Sequence, residues 1–443
     1  MLLRAAILQP CCSLRRFLVI SHRFSVSPNF SSISQPQVLS HFDEETEDFL
    51  PWLERKAGVA VSSKLYIGKS PHGRSLFASE RIQTGDCILR VPYSAQIASN
   101  SLLPKLSVLL DNKIGSVAKL ALVLLVEQKV CKEETEWGPY ISCLPQLEEM
   151  HSTILEDYPQ ISRSITFQDF MHAYAIVKSR AWGSRKSVSL IPFADFLNHD
   201  GFSKAVVLND EEKQFSEVIA DRDYAAHEEV LIRYGKFSNA TLLLDFGFAL
   251  PYNIHDQVKI QLNIPHDDLL REMKSEILQK YHLPTVEDDN GVDSSWNTFV
   301  IKEVKSASGK GKGLPPSLRA FARVLSSISY EDLSNLVNEA ARTDGRLARQ
   351  ALKNGSREIQ AHEFLLLRID QIIQEYIACI KELGPANANS SFECKRYSLR
   401  KQMALYLLMG ELRVLESASA WLKNYCAVDT DHGSWQLGDN TRA

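Results

Sequence analysis

Asn198-His199-Asp200-Gly201 follows an apolar run that ends in Asp195, and Tyr234-Gly235 closes another such run further on. Asparagine and histidine offer hydrogen-bond donors and acceptors to a polar ligand, and a tyrosine hydroxyl can polarise a reacting group. Upstream, His72-Gly73-Arg74 places a glycine where backbone could approach a bound molecule closely. Arg180 stands at the end of a helical pattern. Singly, each reads more simply as structure. Polar residues after a strand form turns, Ser238-Asn239 resembles a helix cap, and a buried tyrosine is most often core.

The elements that would carry these residues alternate along the chain. Residues 44–57 read as a short acidic helix, and short β-rich runs broken by Gly and Pro fill Lys64 to Pro92. From Ser116 to Val130, Leu120, Val123, Leu124 and Glu127 recur at helical spacing. Thr166-Phe167-Gln168-Asp169 resembles a capping box and opens a helix with Phe170, Tyr174 and Val177 on one face, ending near Arg180-Ala181-Trp182. Strand patterns return at Val188–Phe193, Glu217–Ala220 and Val230–Tyr234, and Ser238-Asn239 caps a short helix through Leu242 to Leu244. After about His255, long helical patterns dominate, at Glu358–Glu382 and Ser398–Tyr425. In the first of these, Ile359, His362, Glu363, Leu366, Ile369, Ile373 and Tyr376 trace the inward stripe. Ser306 to Gly313 has the composition of a flexible loop and lacks the Gly-Lys-Ser/Thr ending of a phosphate loop.

At 443 residues the chain exceeds the usual size of one core, so two domains and a tail are expected. A formal charge of -4 excludes a general nucleic-acid binder, and no apolar run is long enough to span a bilayer. The eight cysteines form no C-x-x-C pair, which argues against a structural zinc site and for reduced, buried thiols. No Asp or Glu precedes Asp43, while arginines and serines abound, the composition of an organellar transit peptide. Mitochondrion is favoured over chloroplast. The expected plan is a transit peptide over 1–41, a β-rich domain over 42–255 with a helical insert at about 100–180, and a helical domain over 256–443.

Six motifs in order carry a resemblance. They are His72-Gly73-Arg74-x-Leu76-x-Ala78, Trp137-Gly138-Pro139-Tyr140-Ile141 with Leu144-Pro145, Ser179-Arg180-Ala181-Trp182, and Ile191-Pro192-Phe193-Ala194-Asp195 with Asn198-His199. Ile232-Arg233-Tyr234-Gly235 with Ser238-Asn239-Ala240 follows, and Leu244-Asp245-Phe246-Gly247-Phe248 closes the series. The chain resembles the SET-domain protein methyltransferases of the plant-type Rubisco large-subunit lysine methyltransferase branch over about 48–255. Leu314-Pro315-Pro316-Ser317-Leu318-Arg319 leads into a region similar to that branch's substrate-binding domain.

The resemblance implies an α+β protein: a SET fold of short β-strands with an inserted helical region, then an all-α C-terminal substrate-binding domain. It implies S-adenosyl-L-methionine as cofactor, no metal, and a monomeric enzyme acting on a protein that presents a lysine. His72, Gly73, Arg74, Arg180, Asn198, His199 and Tyr234 would bind the cofactor, with Arg180 on its carboxylate. Tyr234 would be catalytic, and Trp182, Asp195 and Phe246 would face the substrate. Methyl transfer needs a neutral amine aligned over about 3 Å, and a narrow apolar channel supplies both by desolvation and aim.

Two departures from the family pattern, and one residue that bears on the acceptor, shape this reading. Phe246 stands where many relatives carry a second tyrosine, which removes a hydroxyl and leaves room for a more methylated amine. Ser75 and His227 stand where relatives often have glycine. Trp182 supplies an aromatic wall suited to a lysine stem, where a histidine-methylating relative has a polar amide. Two alternatives stay open: a protein-histidine methyltransferase on the same scaffold, and a SET-derived interaction module without activity.

Overall fold

The computed structural model describes residues 41–43, 46–71, 73–99, 115–129, 135–144, 166–183, 188–281, 297–342, 347, 352, 354–384 and 392–428. Residues 1–40 of the proposed transit peptide and His72 lie outside the described residues, whereas its last residue, His41, pairs with Lys69. The chain divides into two compact units, one running to Phe237 and taking in Thr241–Gly247, the other formed by Ser238–Ala240 and Phe248 onward.

The first unit is built from short strands. β1 (His41–Phe42), β2 (Leu65–Ser70) and β3 (Gly73–Ala78) form an antiparallel sheet, and the helix α1 (Phe49–Ala57) ends at a left-handed Gly58. β4 (Cys87–Pro92) pairs with β10 (Phe215–Ile219), which also pairs with β9 (Val207–Asp210). β5 (Ile97–Ala98) and β6 (Trp182–Gly183) flank β7 (Val188–Leu190). Between β5 and β6 run α2 (Ser116–Lys129), α3 (Gly138–Cys143) and α4 (Phe167–Arg180), of which α2 packs on α4. The Thr166 box forms as expected: Asp169 N–H donates to Thr166 Oγ1 at 3.1 Å, and Thr166 N–H donates to Asp169 Oδ2 at 2.7 Å. The inward face of α4 is Ala173, Ile176 and Val177, with Phe170 and Tyr174 at its margin.

Two strand readings shorten. The Val188 run ends at Leu190 because Pro192 cannot donate to a ladder and Phe193 takes φ 73°, ψ -47°. The Val230 run pairs only at β11 (Leu231–Ile232), which lies parallel to β8 (Asn198–His199). The Asn239 side chain reaches along the chain to Leu250 instead of capping the turn it opens. Asn239 is buried, and its amide holds Leu250 N–H and C=O, both at 2.9 Å, while its own N–H donates to Asp256 Oδ1. The following turn, Asn239–Thr241, runs into a π-helical stretch over Leu242–Phe246.

Helices dominate the second unit: α5 (Arg271–Tyr281), α6 (Pro316–Ser326), α7 (Tyr330–Arg342), α8 (Gly355–Leu383) and α9 (Phe392–Val428). It also holds an antiparallel pair that the helical patterns hid, β12 (Gln257–Gln261) with β13 (Thr298–Lys302). The core stripe of α8 is Glu358, Ala361, His362, Leu365, Ile369 and Ile373, so Glu363 and Leu366 fall outside it. Glu358 is buried because Arg323 meets it with two hydrogen bonds, at 2.8 and 2.5 Å. Breaking such a pair strands a buried charge at a cost of about 3–5 kcal/mol. The Ser306–Gly313 segment is fastened rather than loose: Trp421 Nε1 donates to Gly309 O at 2.7 Å, and Gly311 lies where a Cβ would strike the Trp421 ring. The cysteines described are unbridged, with Cys87 exposed and Cys143, Cys379 and Cys426 half-buried, so the thiols are not core residues. Among the described residues no helix is long and apolar enough to cross a membrane.

Burial raises the Glu411 carboxyl from 4.5 to about 7, with the Tyr376 hydroxyl opposing and Asp256 adding. The folded chain therefore holds a proton here that the unfolded chain has released. This contribution to stability is full below about pH 4.5 and is lost as pH rises through 7. Glu411→Gln should gain stability relative to the parent between those limits in urea melts, and a pH-independent difference would refute the assignment.

Candidate functional site

The first unit gathers three sequence candidates around the ring of a fourth, Tyr234. Tyr234 lies 5.1 Å from the His199 ring, 5.6 Å edge-on to Trp182 and 5.3 Å from Phe246. Its hydroxyl donates to Leu197 O at 2.6 Å, and its backbone N–H donates to His199 Nδ1 at 3.1 Å. The parallel pairing of β8 with β11 brings these groups together, because it sets Asn198-His199 against Leu231-Ile232 two residues before the tyrosine. Burial holds the Tyr234 hydroxyl well above its ordinary value; Arg180 opposes this and Asp195 adds to it. At neutral pH it is a donor, not a base.

β3 joins the same centre through backbone. Val230 N–H donates to Leu76 O at 2.9 Å and Ala78 N–H donates to Glu228 O at 2.9 Å. At the start of β3, Gly73 takes φ 110°, with open space where a Cβ would stand, so bare backbone faces outward there. The Arg74 side chain is turned away: Nε donates to Asp43 Oδ2 at 2.6 Å, and Lys69 meets the other oxygen at 3.1 Å. Burial alone would raise Asp43, but these two cations hold it below the ordinary range. Asn198 is likewise spoken for, its Nδ2 donating to Glu229 Oε1 at 3.1 Å. Arg74 and Asn198 thus spend their side chains on neighbouring carboxylates.

Arg180 ends α4, and its Nη1 donates to Asp195 O at 3.0 Å. Asp195 follows the Phe193 turn, whose positive φ is costly for a large side chain by about 1–3 kcal/mol. Of the two glycine departures, His227 does take the left-handed conformation, φ 66°, with its Nδ1 3.1 Å from Tyr66 Oη. Ser75 is buried, and its hydroxyl meets no partner among the described residues. The motif reading did not foresee the Leu197 carbonyl, Glu229, Asp43 or Phe237. A backbone carbonyl leaves no trace in residue type, and the carboxylates sit outside the motifs.

Phe237 matters through Gly235. It lies over Gly235 so closely that a Cβ would overlap its ring, and it stacks on Phe246 at 5.5 Å. Gly235→Ala should cost about 1–3 kcal/mol in denaturant melts by pushing this ring aside. A melt identical to the parent's would show that Phe237 leaves Gly235 freely.

Comparison with known proteins gives two family matches: "SET domain" over residues 73–235 and "Rubisco LSMT substrate-binding" over residues 265–415. Among curated proteins, the actin-histidine N-methyltransferase of Homo sapiens is 25% identical over 431 residues, covering 85% of this chain and 69% of that protein. The Mus musculus protein of the same name is 24% identical over the same shares. Among solved structures, Rubisco LSMT bound to AdoMet superposes with a TM-score of 0.62 at 19% identity, covering 87% of this chain and 93% of that one. The SET domain of LSMT bound to lysine and AdoHcy gives 0.60 at 19% identity, covering 86% and 91%. At these identities the superpositions establish the fold, and the two curated relatives named are mammalian proteins.

Proposed function

We propose that this LSMT-like SET-domain protein, with its Rubisco LSMT-type substrate-binding domain, is an S-adenosylmethionine-dependent protein-lysine N-methyltransferase acting on a non-histone protein. The observation that carries the reading is the Tyr234 hydroxyl, part-buried, protonated and fixed on Leu197 O inside an enclosure of His199, Trp182 and Phe246.

The residues present fit the cofactor. Gly73 leaves backbone uncovered, and Arg180 keeps N–H groups beyond those on Asp195 for a carboxylate. S-adenosylmethionine, when bound, supplies an electrophilic methyl group. Tyr234 orients the reacting atoms through a hydroxyl that stays protonated. The aromatic walls exclude water and lower the pKa of an entering amine, so that it attacks with its lone pair.

Trp182 supports lysine as the acceptor. Its indole N–H is buried, without a partner among the described residues, and can only donate. An imidazole that attacks through one nitrogen carries a proton on the other and needs an acceptor for it. A lysine stem needs only the apolar face. The histidine reading is favoured by the relatives, which are actin-histidine methyltransferases at 24–25% identity. The acid-free, Arg- and Ser-rich opening supports an organellar place of action, mitochondrion before chloroplast.

Labelling an organelle extract with the enzyme and labelled cofactor, followed by hydrolysis and amino-acid analysis, should yield methyl-lysine; methyl-histidine would decide for the other acceptor. Tyr234→Phe should reduce labelling by about a hundredfold or more, and labelling equal to the parent's would remove Tyr234 from the mechanism. Phe246→Tyr restores a hydroxyl beside the acceptor and should shift the product towards fewer methyl groups by mass spectrometry. An unchanged methylation state would show that the residue at 246 does not set it.

A further inference from the structure

The Trp137-Gly138-Pro139-Tyr140 segment has no part in the reading above, yet its tyrosine leads to Arg180. Tyr140 is fully buried on α3, and its hydroxyl donates to Asp195 Oδ2 at 2.9 Å. Arg180 Nη1 lies 3.6 Å from that same oxygen while it donates to the backbone carbonyl of Asp195. The Asp195 side chain has 0% exposure, and its Oδ1 meets no partner among the described residues. A buried carboxylate with an unmatched oxygen is a costly arrangement, and packing alone does not call for one.

Burial raises the Asp195 carboxyl, and Arg180 and Tyr140 oppose the rise. Burial also pushes Tyr140 well above its ordinary value, with Asp195 adding and Arg180 opposing, so the hydroxyl remains a donor. The result is a fixed relay: a phenol aims a carboxylate, and residue 195 then holds a guanidinium at two atoms. Arg180 itself keeps 27% exposure, and no further partner holds its remaining N–H groups among the described residues.

We infer that Tyr140 and Asp195 are positioning residues that fix Arg180 so that its open edge meets the α-carboxylate in the amino-acid head of S-adenosylmethionine. This rests on the cofactor proposed above. Neither residue touches the ligand. A free arginine samples many rotamers, and anchoring it beforehand removes an ordering cost from binding.

S-adenosylhomocysteine carries that head and 5′-methylthioadenosine lacks it, so their dissociation constants for the full chain separate aim from fold. Tyr140→Phe keeps the buried ring and should weaken S-adenosylhomocysteine about tenfold, leaving 5′-methylthioadenosine unchanged. Asp195→Asn should act in the same direction. In an Arg180→Ala background, Tyr140→Phe should add no further loss, because the group it aims is gone. Equal weakening of both ligands would assign Tyr140 to the fold and overturn the inference, as would no weakening or full additivity with Arg180→Ala. Should Tyr140→Phe melt below the assay temperature, Asp195→Asn carries the same comparison. A parent chain that binds neither ligand defeats the cofactor reading itself, whereas a binding parent with indifferent variants defeats this inference alone.

Discussion

The first unit depends on a parallel pairing only two residues long, Asn198-His199 beside Leu231-Ile232. Parallel strands pair no better per residue than antiparallel ones, and a pair this short has no stability of its own. Its surroundings hold it. Leu197, Val230 and Ile232 are buried on either side, Asp200 N–H continues the pairing onto Ile232 O, and Arg233 N–H reaches Ala205 O. With that pairing in place, the Tyr234 hydroxyl reaches the carbonyl of Leu197, the residue just before the paired asparagine. The aromatic enclosure is therefore set by backbone register, and the side chains fill a geometry already given.

The second unit uses charge in a different way. Arg323 and Glu358 sit inside the helix layer, and His362, one turn on, points Nδ1 at Glu358 O from 2.8 Å and stacks on Tyr425 at 4.2 Å. Burial lowers the His362 imidazole, which favours its neutral form beside Arg323. Removing such a cluster for apolar residues need not weaken a fold; what it provides is one register for α6 against α8, since only one sliding position satisfies both ends of the guanidinium.

These features divide by how far along the chain their causes lie. The Thr166–Asp169 box was legible because both partners are three residues apart and their bonds are local. The ordered motifs located Tyr234, His199, Trp182 and Phe246, and the structure puts all four within one enclosure. The stripe of α8 was misread by one position because Glu358 looks like a surface residue until Arg323, from another helix, is beside it. Asn239 looked like a cap for the same reason: its partners Leu250 and Asp256 are defined by chain folding, not by spacing. Glycine was misread at Ser306–Gly313, where small size serves close approach to Trp421 and not looseness.

The π-helical stretch that delivers Phe246 has one consequence of its own. A π turn holds one residue more than an α turn, and such stretches are uncommon outside functional regions. Losing a single residue between Leu242 and Asp245 would let the segment relax to α-helix, and because the extra residue is what the π turn holds, Phe246 would keep its place beside Tyr234. The wall of the enclosure would survive the loss, whereas a residue lost from a regular α turn would rotate everything after it by about 100°. This scaffold can thus absorb a one-codon deletion at the wall of its site, which a regular helix in the same place could not.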